Sequence, residues 1–469
     1  MGPRDRCLAI CLALFGCGGA RAGTPSNTPA SPAQLGAERT QRSEAAPASV
    51  TRTLLERRDV ANAPGMESRV YLMTFPPGAA SPPHVHTMPG MGYVLDGAFE
   101  SSFDDEPTTI KRAGDAFVDS PGKTHHFKNA NPDRLLRFVF SGTFPKEGPI
   151  FRRPDAVVRF GAVGPVRTID KPALYPETID YDPVHGTFVV GSFRDGAIYH
   201  VDAEGRVTPF ADDHRLASTL GIAVDVAHRR LWAVSADVGA GIRRSATGPQ
   251  RSADVALYDL TSGTEILHVD LANLVRAPHL LNGVAVDAAG NAYVTDSLSA
   301  VVYRVTAEGK ASVFARDDRF AGSGIGLNGL VVHPHGFLLV VKKSDGTIFK
   351  VPLADPKHVS QVKIDGTLVG GDGVTLASAS DLVVVANATP TATANAAFAL
   401  TTDDDWTTAK IYDVLPLGDD YPTTAVVRDG TIFVVSTRLD ALLHAAASGG
   451  DPAQLRAEAT IRPIGSVVH

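Results

Sequence analysis

From Tyr71 onward apolar residues come in short runs, YLMTF at Tyr71, GYVL at Gly92 and RFVF at Arg137, each broken by Pro, Gly or Asp. Runs this short, rich in aromatic and β-branched residues, predict a compact antiparallel barrel over residues 51–145. From residue 165 a different pattern repeats: an opening residue, a β-branched strand, a turn and a second strand. Its copies begin ETIDYDPVHGTFVVGS at Glu177, LGIAVDVAHRRLWAVS at Leu220, NGVAVDAAGNAYVTDS at Asn282, NGLVVHPHGFLLVVKK at Asn328, DGVTLASASDLVVVAN at Asp372 and TTAVVRDGTIFVVST at Thr423. Start-to-start spacings of 43, 62, 46, 44 and 51 residues approach the roughly 40–50 residues of a four-stranded propeller blade. Six copies predict six blades over residues 165–445, with 446–469 left as a C-terminal tail, so the whole chain is expected to be all-β.

The N-terminus reads differently. Arg4 and Arg6 precede the apolar run Cys7 to Phe15, which has the length of a signal-peptide core and is too short to span a bilayer. Leu14-Phe15-Gly16-Cys17 resembles a lipobox, whose cleavage removes residues 1–16 and leaves Cys17 to carry lipid, while Ala20-Arg21-Ala22 offers an ordinary cleavage site. Residues 17–50 are rich in Ala, Pro, Ser, Thr and Gly and predict a flexible linker. The expectation is an exported protein, a periplasmic or cell-envelope lipoprotein or else a secreted one, whose contact with a membrane is its lipid anchor. Cys7, Cys11 and Cys17 are the only cysteines of the 469 residues, so the folded part has no disulfide, zinc knuckle or thiol nucleophile. With 44 Lys plus Arg against 51 Asp plus Glu and a net charge of −7, no basic surface for nucleic acid is implied.

Inside the barrel segment, PPHVH puts His84 and His86 two residues apart, a spacing that turns both imidazoles to one face of a strand, as a shared metal requires. Gly78, His84, His86 and Gly97, followed by Gly114, Gly122, His125 and Asn129, resemble the two cupin motifs. The resemblance implies a small jelly-roll barrel with His125 as third ligand. It departs at Gly90, where the first motif usually has glutamate. Three neutral imidazoles can hold Fe, Mn, Ni or Zn; the other reading is a histidine-lined pocket for a small anion or sugar. His126, beside His125, should face the opposite way.

In a propeller the first strand of each blade lines the central channel, so the residues opening those strands gather at one end of it. In blade order these are Glu177, Leu220, Asn282, Asn328, Asp372 and Thr423. Two carboxylates and two amides converge there, and oxygen donors of that charge suit a hard divalent cation, calcium first, magnesium or manganese next. The alternative is polar filling of the channel. With these positions, residues 165–445 resemble the gluconolactonase, regucalcin and senescence-marker family of calcium propellers. That resemblance implies that Glu177, Asn328 and Asp372 hold the cation and that Asp372 is the general base, the cation polarising a lactone carbonyl. Blade three departs from the sugar lactonases: Asn282 replaces an aspartate, and His279 and Leu281 replace a substrate-binding Arg and Asn. His279 is then either a proton-transfer residue or structural.

Loops between second and third strands fall at the same end as the openers. The longest, Asp237 to Asp254, reads as a lid carrying Arg243 and Arg244 as candidate substrate contacts, and Lys342, Lys343 and Arg438 lie on corresponding loops. The reading these features favour is a metal-dependent, lactonase-like hydrolase of a small molecule, with the reaction in the calcium propeller and the cupin an accessory metal- or ligand-binding domain. Two alternatives stand beside it. One is a non-catalytic extracellular binding protein with a structural calcium; the other is a cupin oxygenase or isomerase with the propeller as binding module.

Overall fold

The computed structural model describes residues 50–468 apart from 64, 105, 147–149, 153–156, 390–394 and 452–453. The expected signal segment 1–16, Cys17 as the expected lipid site, and all of the expected 17–50 linker but its last residue lie outside the described residues. The chain divides into two units, one centred on Arg69–Gly142 and the other on Thr143–His469.

The smaller unit is a jelly-roll. Its strands are β1 Thr51–Asp59, β2 Met66–Phe75, β3 Ala80–His86, β4 Gly90–Asp96, β5 Ala98–Phe103, β6 Thr109–Arg112, β7 Ala116–Val118, β8 Thr124–Asn129 and β9 Leu136–Pro145. One sheet runs β1-β2-β9-β4-β7 and the other through β3-β8-β5-β6. Strict alternation in β8 buries His125, Phe127 and Asn129 and exposes His126 and Lys128. Between the sheets sits a phenylalanine core: the Phe127 ring lies 4.5 Å from Phe99, 4.9 Å from Phe75 and 5.4 Å from Phe138, centroid to centroid, distances at which aromatic pairs attract. Asn129 closes the barrel end, its Nδ2 donating to the carbonyls of Pro76 and Arg134.

The larger unit is a ring of six sheets. Its inner strands are Pro176–Asp182, Thr219–Asp225, Leu281–Val286, Leu327–His333, Gly371–Leu376 and Pro422–Arg428. They neighbour one another in chain order, and the sixth returns to the first, Thr424 Oγ1 donating to the Glu177 carbonyl at 3.1 Å. The expected C-terminal tail is corrected. Thr460–Val467 is the third strand of blade six, paired with Thr431–Ser436, and Val158–Phe160 from the other end of the unit pairs outside it. The propeller therefore runs from Val158 to Val467 rather than over 165–445. The repeat in the sequence marks only the two inner strands of each blade, and in blade six an inserted helix, α1 Leu439–Ala447, separates them from the third.

Each inner strand slips register where it opens, between Pro176 and Thr178, Thr219 and Gly221, Leu281 and Val284, Leu327 and Leu330, Gly371 and Val374, and Pro422 and Thr424. The residues skipped include all six predicted channel positions. A bulge re-aims a side chain and ends regular pairing, so the irregularity is what turns these residues to the axis. Glycine follows four of them because the next inner strand crowds in. A Cβ on Gly221, Gly283, Gly329 or Gly373 would lie 2.2–2.7 Å from the carbonyl oxygen of Asn282, Asn328, Asp372 or Thr423 respectively. Where glycine is absent, threonine bonds across instead, Thr178 Oγ1 accepting from the Ile222 amide at 3.3 Å.

Gly329→Ala should therefore destabilise the propeller by about 1–3 kcal/mol, whereas Gly161→Ala, with open space around the added methyl, should stay within about 0.5 kcal/mol. Urea unfolding of the two variants measures the contrast, and equal midpoints would mean that the inner strands do not approach so closely.

Candidate functional site

Pairing of β3 with β8 sets His84 opposite His125, and the two-residue period brings His86 to the same face. The structure thus gathers the three histidines, with ligand atoms all within 4.8 Å of one another and His86 Nε2 3.0 Å from His125 Nδ1. His84 Nδ1 donates to the Pro82 carbonyl at 2.9 Å, which leaves its Nε2 as the lone-pair nitrogen. Ser101 Oγ lies 2.9 Å from His125 Nε2, and Phe103 stacks on the same ring at 4.3 Å. Burial, reinforced by the neighbouring imidazoles, pushes His86 and His125 down to about 3 and lowers His84. All three are then neutral at pH 7, the form that binds metal.

The departure at Gly90 has a steric explanation. A Cβ there would meet the Phe140 ring at 2.2 Å, so a glutamate at this position would require Phe140 to move. A carboxylate arrives from elsewhere: Asp119, one residue beyond β7, is 4% exposed with Oδ2 3.3 Å from His86 Nε2. Burial pushes its carboxyl up to about 7. Sequence reasoning missed it because nothing in GDAFVDSPG sets Asp119 apart from a turn aspartate. The three neutral imidazoles fit a divalent transition ion of the Fe, Mn, Ni or Zn group, with Asp119 a buried partner of His86 outside that shared set of ligand atoms.

At the opening end of the propeller, Glu177, Leu220, Asn282, Asn328 and Asp372 border one pocket, open to solvent, with ≈ 810 Å³ of empty space. Phe193, Leu280, Leu298 and Ile325 give it apolar walls, and α1 adds Leu439 and Leu443. Lys343 and Tyr421 also border it. The Lys343 ammonium stands 3.2 Å from Asp372 Oδ2 and donates to Asn387 Oδ1. Asn387 Nδ2 in turn donates to Asp372 Oδ2 and, at 2.8 Å, to the Pro422 carbonyl. Glu177 is not held this way: its buried Oε2 has no hydrogen-bond partner among the described residues. Burial first, and the Asp372 charge second, raise its carboxyl well above the usual range against the pull of Lys343. The Tyr421 hydroxyl is likewise raised by burial, then by Asp372 and Glu177.

Lys343 changes the expected ion site. The calcium reading rested on two carboxylates with no cation between them, and the ammonium brings the formal charge from −2 to −1 while engaging one oxygen of Asp372. The residues present do not fit the divalent ion that the sequence implied. Lys343 follows directly on the second strand of blade four, Phe337–Lys342, and Asn387 holds the matching place after Asp381–Ala386 in blade five. Blades four and five thus bring polar side chains from this position to Asp372, whereas blades one and two have Phe193 and Ala236 there.

Three other predicted residues lie away from the pocket wall. Arg243 is tied to Asp212 and to the Asp213 carbonyl, and Arg244 to carbonyls of its own loop, including Gly239 at 3.0 Å. The loop does reach the pocket, through Val238 and Gln250, so the lid position holds while its arginines serve the loop. His279 is buried with Nδ1 2.7 Å from Asp296 Oδ2 and Nε2 3.2 Å from the Ala272 carbonyl. Although burial opposes it, the Asp296 contact raises its pKa, and with both nitrogens engaged it is a structural histidine rather than a proton-transfer residue. Two further His–Asp groups, Asp182 with His185 and His200, and His333 and His335 with Asp405, occupy turns at the opposite strand ends; the first bonds its own turn amides through Asp182 Oδ1.

Residues 71–141 match the family model described as the cupin domain. No curated protein matches the chain. Among solved structures, the major allergen Mala s 1 of Malassezia sympodialis is 20% identical, covers 65% of this chain and 96% of its own, and has a TM-score of 0.51. A gluconolactonase-like protein is 14% identical over 66% of this chain and 96% of its own, with a TM-score of 0.43. A luciferin-regenerating enzyme is 13% identical over 65% and 97%, with a TM-score of 0.45. The chain joins a cupin domain to a β-propeller whose fold Mala s 1 shares.

Proposed function

We propose that the propeller pocket takes a small lactone or related ester and hydrolyses it with a pair of carboxyl groups, while the cupin is a separate transition-metal centre. The observation carrying this reading is the unequal setting of Glu177 and Asp372 in one pocket. Burial biases Glu177 toward the neutral acid, whereas the Asp372 carboxylate receives the Lys343 ammonium and the Asn387 amide. A neutral carboxyl beside a carboxylate that accepts from an ammonium and an amide is the arrangement expected of an acid and base pair.

In the proposed sequence Asp372 takes a proton from water as the water oxygen adds to the substrate carbonyl carbon. The Lys343 ammonium and the amides of Asn282 and Asn328 are the donors nearest to hand for the oxyanion. Collapse breaks the ring C–O bond, Glu177 protonates the departing alkoxide, and the proton on Asp372 passes back to Glu177 through water. The product is the hydroxy acid. Apolar walls favour a substrate with a hydrocarbon body over a sugar, in keeping with the departure from the sugar lactonases at blade three. Export, with lipid on Cys17, belongs to the proposal and rests on the N-terminal sequence. A second reading makes the cupin centre catalytic, an oxygenase or isomerase with the propeller as binding module; the gathering of three neutral histidines, with the buried Asp119 beside His86, favours it.

Asp372→Asn should lower kcat on a lactone panel by about 10²–10⁴-fold with an unchanged circular dichroism spectrum; retained turnover removes Asp372 as base. His86→Ala should lower the transition metal in the purified protein from about one ion per chain, read by plasma mass spectrometry, while lactone hydrolysis persists. Hydrolysis lost together with the metal would move the chemistry to the cupin.

A further inference from the structure

We infer that Lys343 is the resident cation of the propeller channel, and that its ammonium fills the place a divalent ion would take between Glu177 and Asp372. The inference is independent of whether the pocket is hydrolytic. Three observations carry it. The ammonium is 7% exposed and 3.2 Å from an Asp372 carboxylate that is itself 3% exposed, so this is a buried pair and not a surface lysine resting on a convenient acid. Asn387, fully buried, bonds both partners and anchors to the Pro422 carbonyl. That amide fixes the pair from behind, and its oxygen and nitrogen are each used in the sense a lysine–carboxylate pair demands. Finally, Lys343 enters from the residue after a second strand, a position filled by Phe193, Ala236, Ser297, Asn387 and Thr437 in the other blades, so a cation here is particular to blade four.

A divalent ion placed against Asp372 would meet the ammonium as a like charge in a buried site, where such repulsion is weakly screened. Expelling the ammonium would in turn strip it of its hydrogen bond to Asn387 and its ion pair with Asp372, and leave Asn387 Oδ1 without its donor. The chain has therefore exchanged an ion whose occupancy depends on concentration for a covalently tethered one. The ammonium has one hydrogen-bond partner, Asn387, and one ion-pair partner, Asp372, and Lys343 borders the pocket, so it is the positive group that a ligand oxygen would meet.

The test is calcium binding to the full chain after chelation, by equilibrium dialysis, with thermal unfolding alongside. Wild-type protein should hold no calcium that is lost on Glu177→Gln, and its propeller unfolding midpoint should not move in millimolar calcium. Lys343→Met, close in length but uncharged, should gain one Glu177-dependent site per chain, with a midpoint that rises with calcium concentration as linkage requires. Lys343→Arg, which keeps the charge, should stay calcium-blind. A wild-type protein that binds about one Glu177-dependent calcium overturns the inference, and so does a folded Lys343→Met that binds none. If Lys343→Met does not fold, the wild-type and Lys343→Arg titrations decide the question by themselves.

Discussion

Six inner strands that converge on one axis approach one another more closely than side chains allow, and the propeller's chemistry follows from how that crowding is relieved. Each strand slips register at its opening, and the residue following the opener is either glycine, beneath the next strand's carbonyl, or a threonine that bonds across. The slip turns one side chain per blade to the axis. Because the ring must also close, the N-terminal strand Val158–Phe160 pairs with Thr460–Val467 and covers an edge that would otherwise be open. Closure and site are thus two results of the same geometry, since a ring that failed to close would not hold its six openers at one end.

Placing Glu177 and Asp372 in that narrow, largely apolar end creates an electrostatic demand. Two like charges about 4 Å apart repel by roughly 4 kcal/mol at an effective dielectric constant of about 20, before any cost of burial. Three remedies exist: a bound cation, a covalent one, or protonation of one acid. This chain combines the second and third, with Lys343 on Asp372 and a Glu177 carboxyl biased toward the neutral form. The buried Glu177 Oε2 without a partner among the described residues is what remains of an unfilled demand, on a residue that borders the pocket.

Periodicity carried the fold because each inner strand pair repeats its opener, its β-branched core and its turn. The opening positions Glu177, Asn282, Asn328 and Asp372 were legible for the same reason; His84 and His86 were legible from their two-residue spacing, and His125 through the resemblance to the cupin motifs. What could not be read were partners brought in by neighbouring strands. Lys343 looks like a rim lysine beside Lys342, yet Lys342 turns to Asp345 and the Arg319 carbonyl while Lys343 turns to Asp372. Arg243 and Arg244 looked free because the chain does not announce that Asp212 and loop carbonyls will claim them. The third strand of blade six was hidden by the α1 insertion, which breaks the spacing on which the repeat depends.

The cupin solves a similar problem by relocation. Phe140 packs where a side chain on β4 would stand, and Gly90 follows from that packing; the carboxylate then comes from the end of β7 as Asp119. A buried acid thus stands beside His86, although it is not among the ligand atoms that the three imidazoles bring together. In the propeller the cation is preserved although its covalent status is not. Both cases point to the same rule: a buried site conserves its balance of charge before it conserves the strand that supplies it, because an uncompensated charge costs several kcal/mol wherever it sits, whereas moving its partner costs only a rearrangement of packing. A motif search tied to positions therefore sees Gly90 only as a gap, whereas a balance of charges at the site brings out the buried Asp119 beside His86.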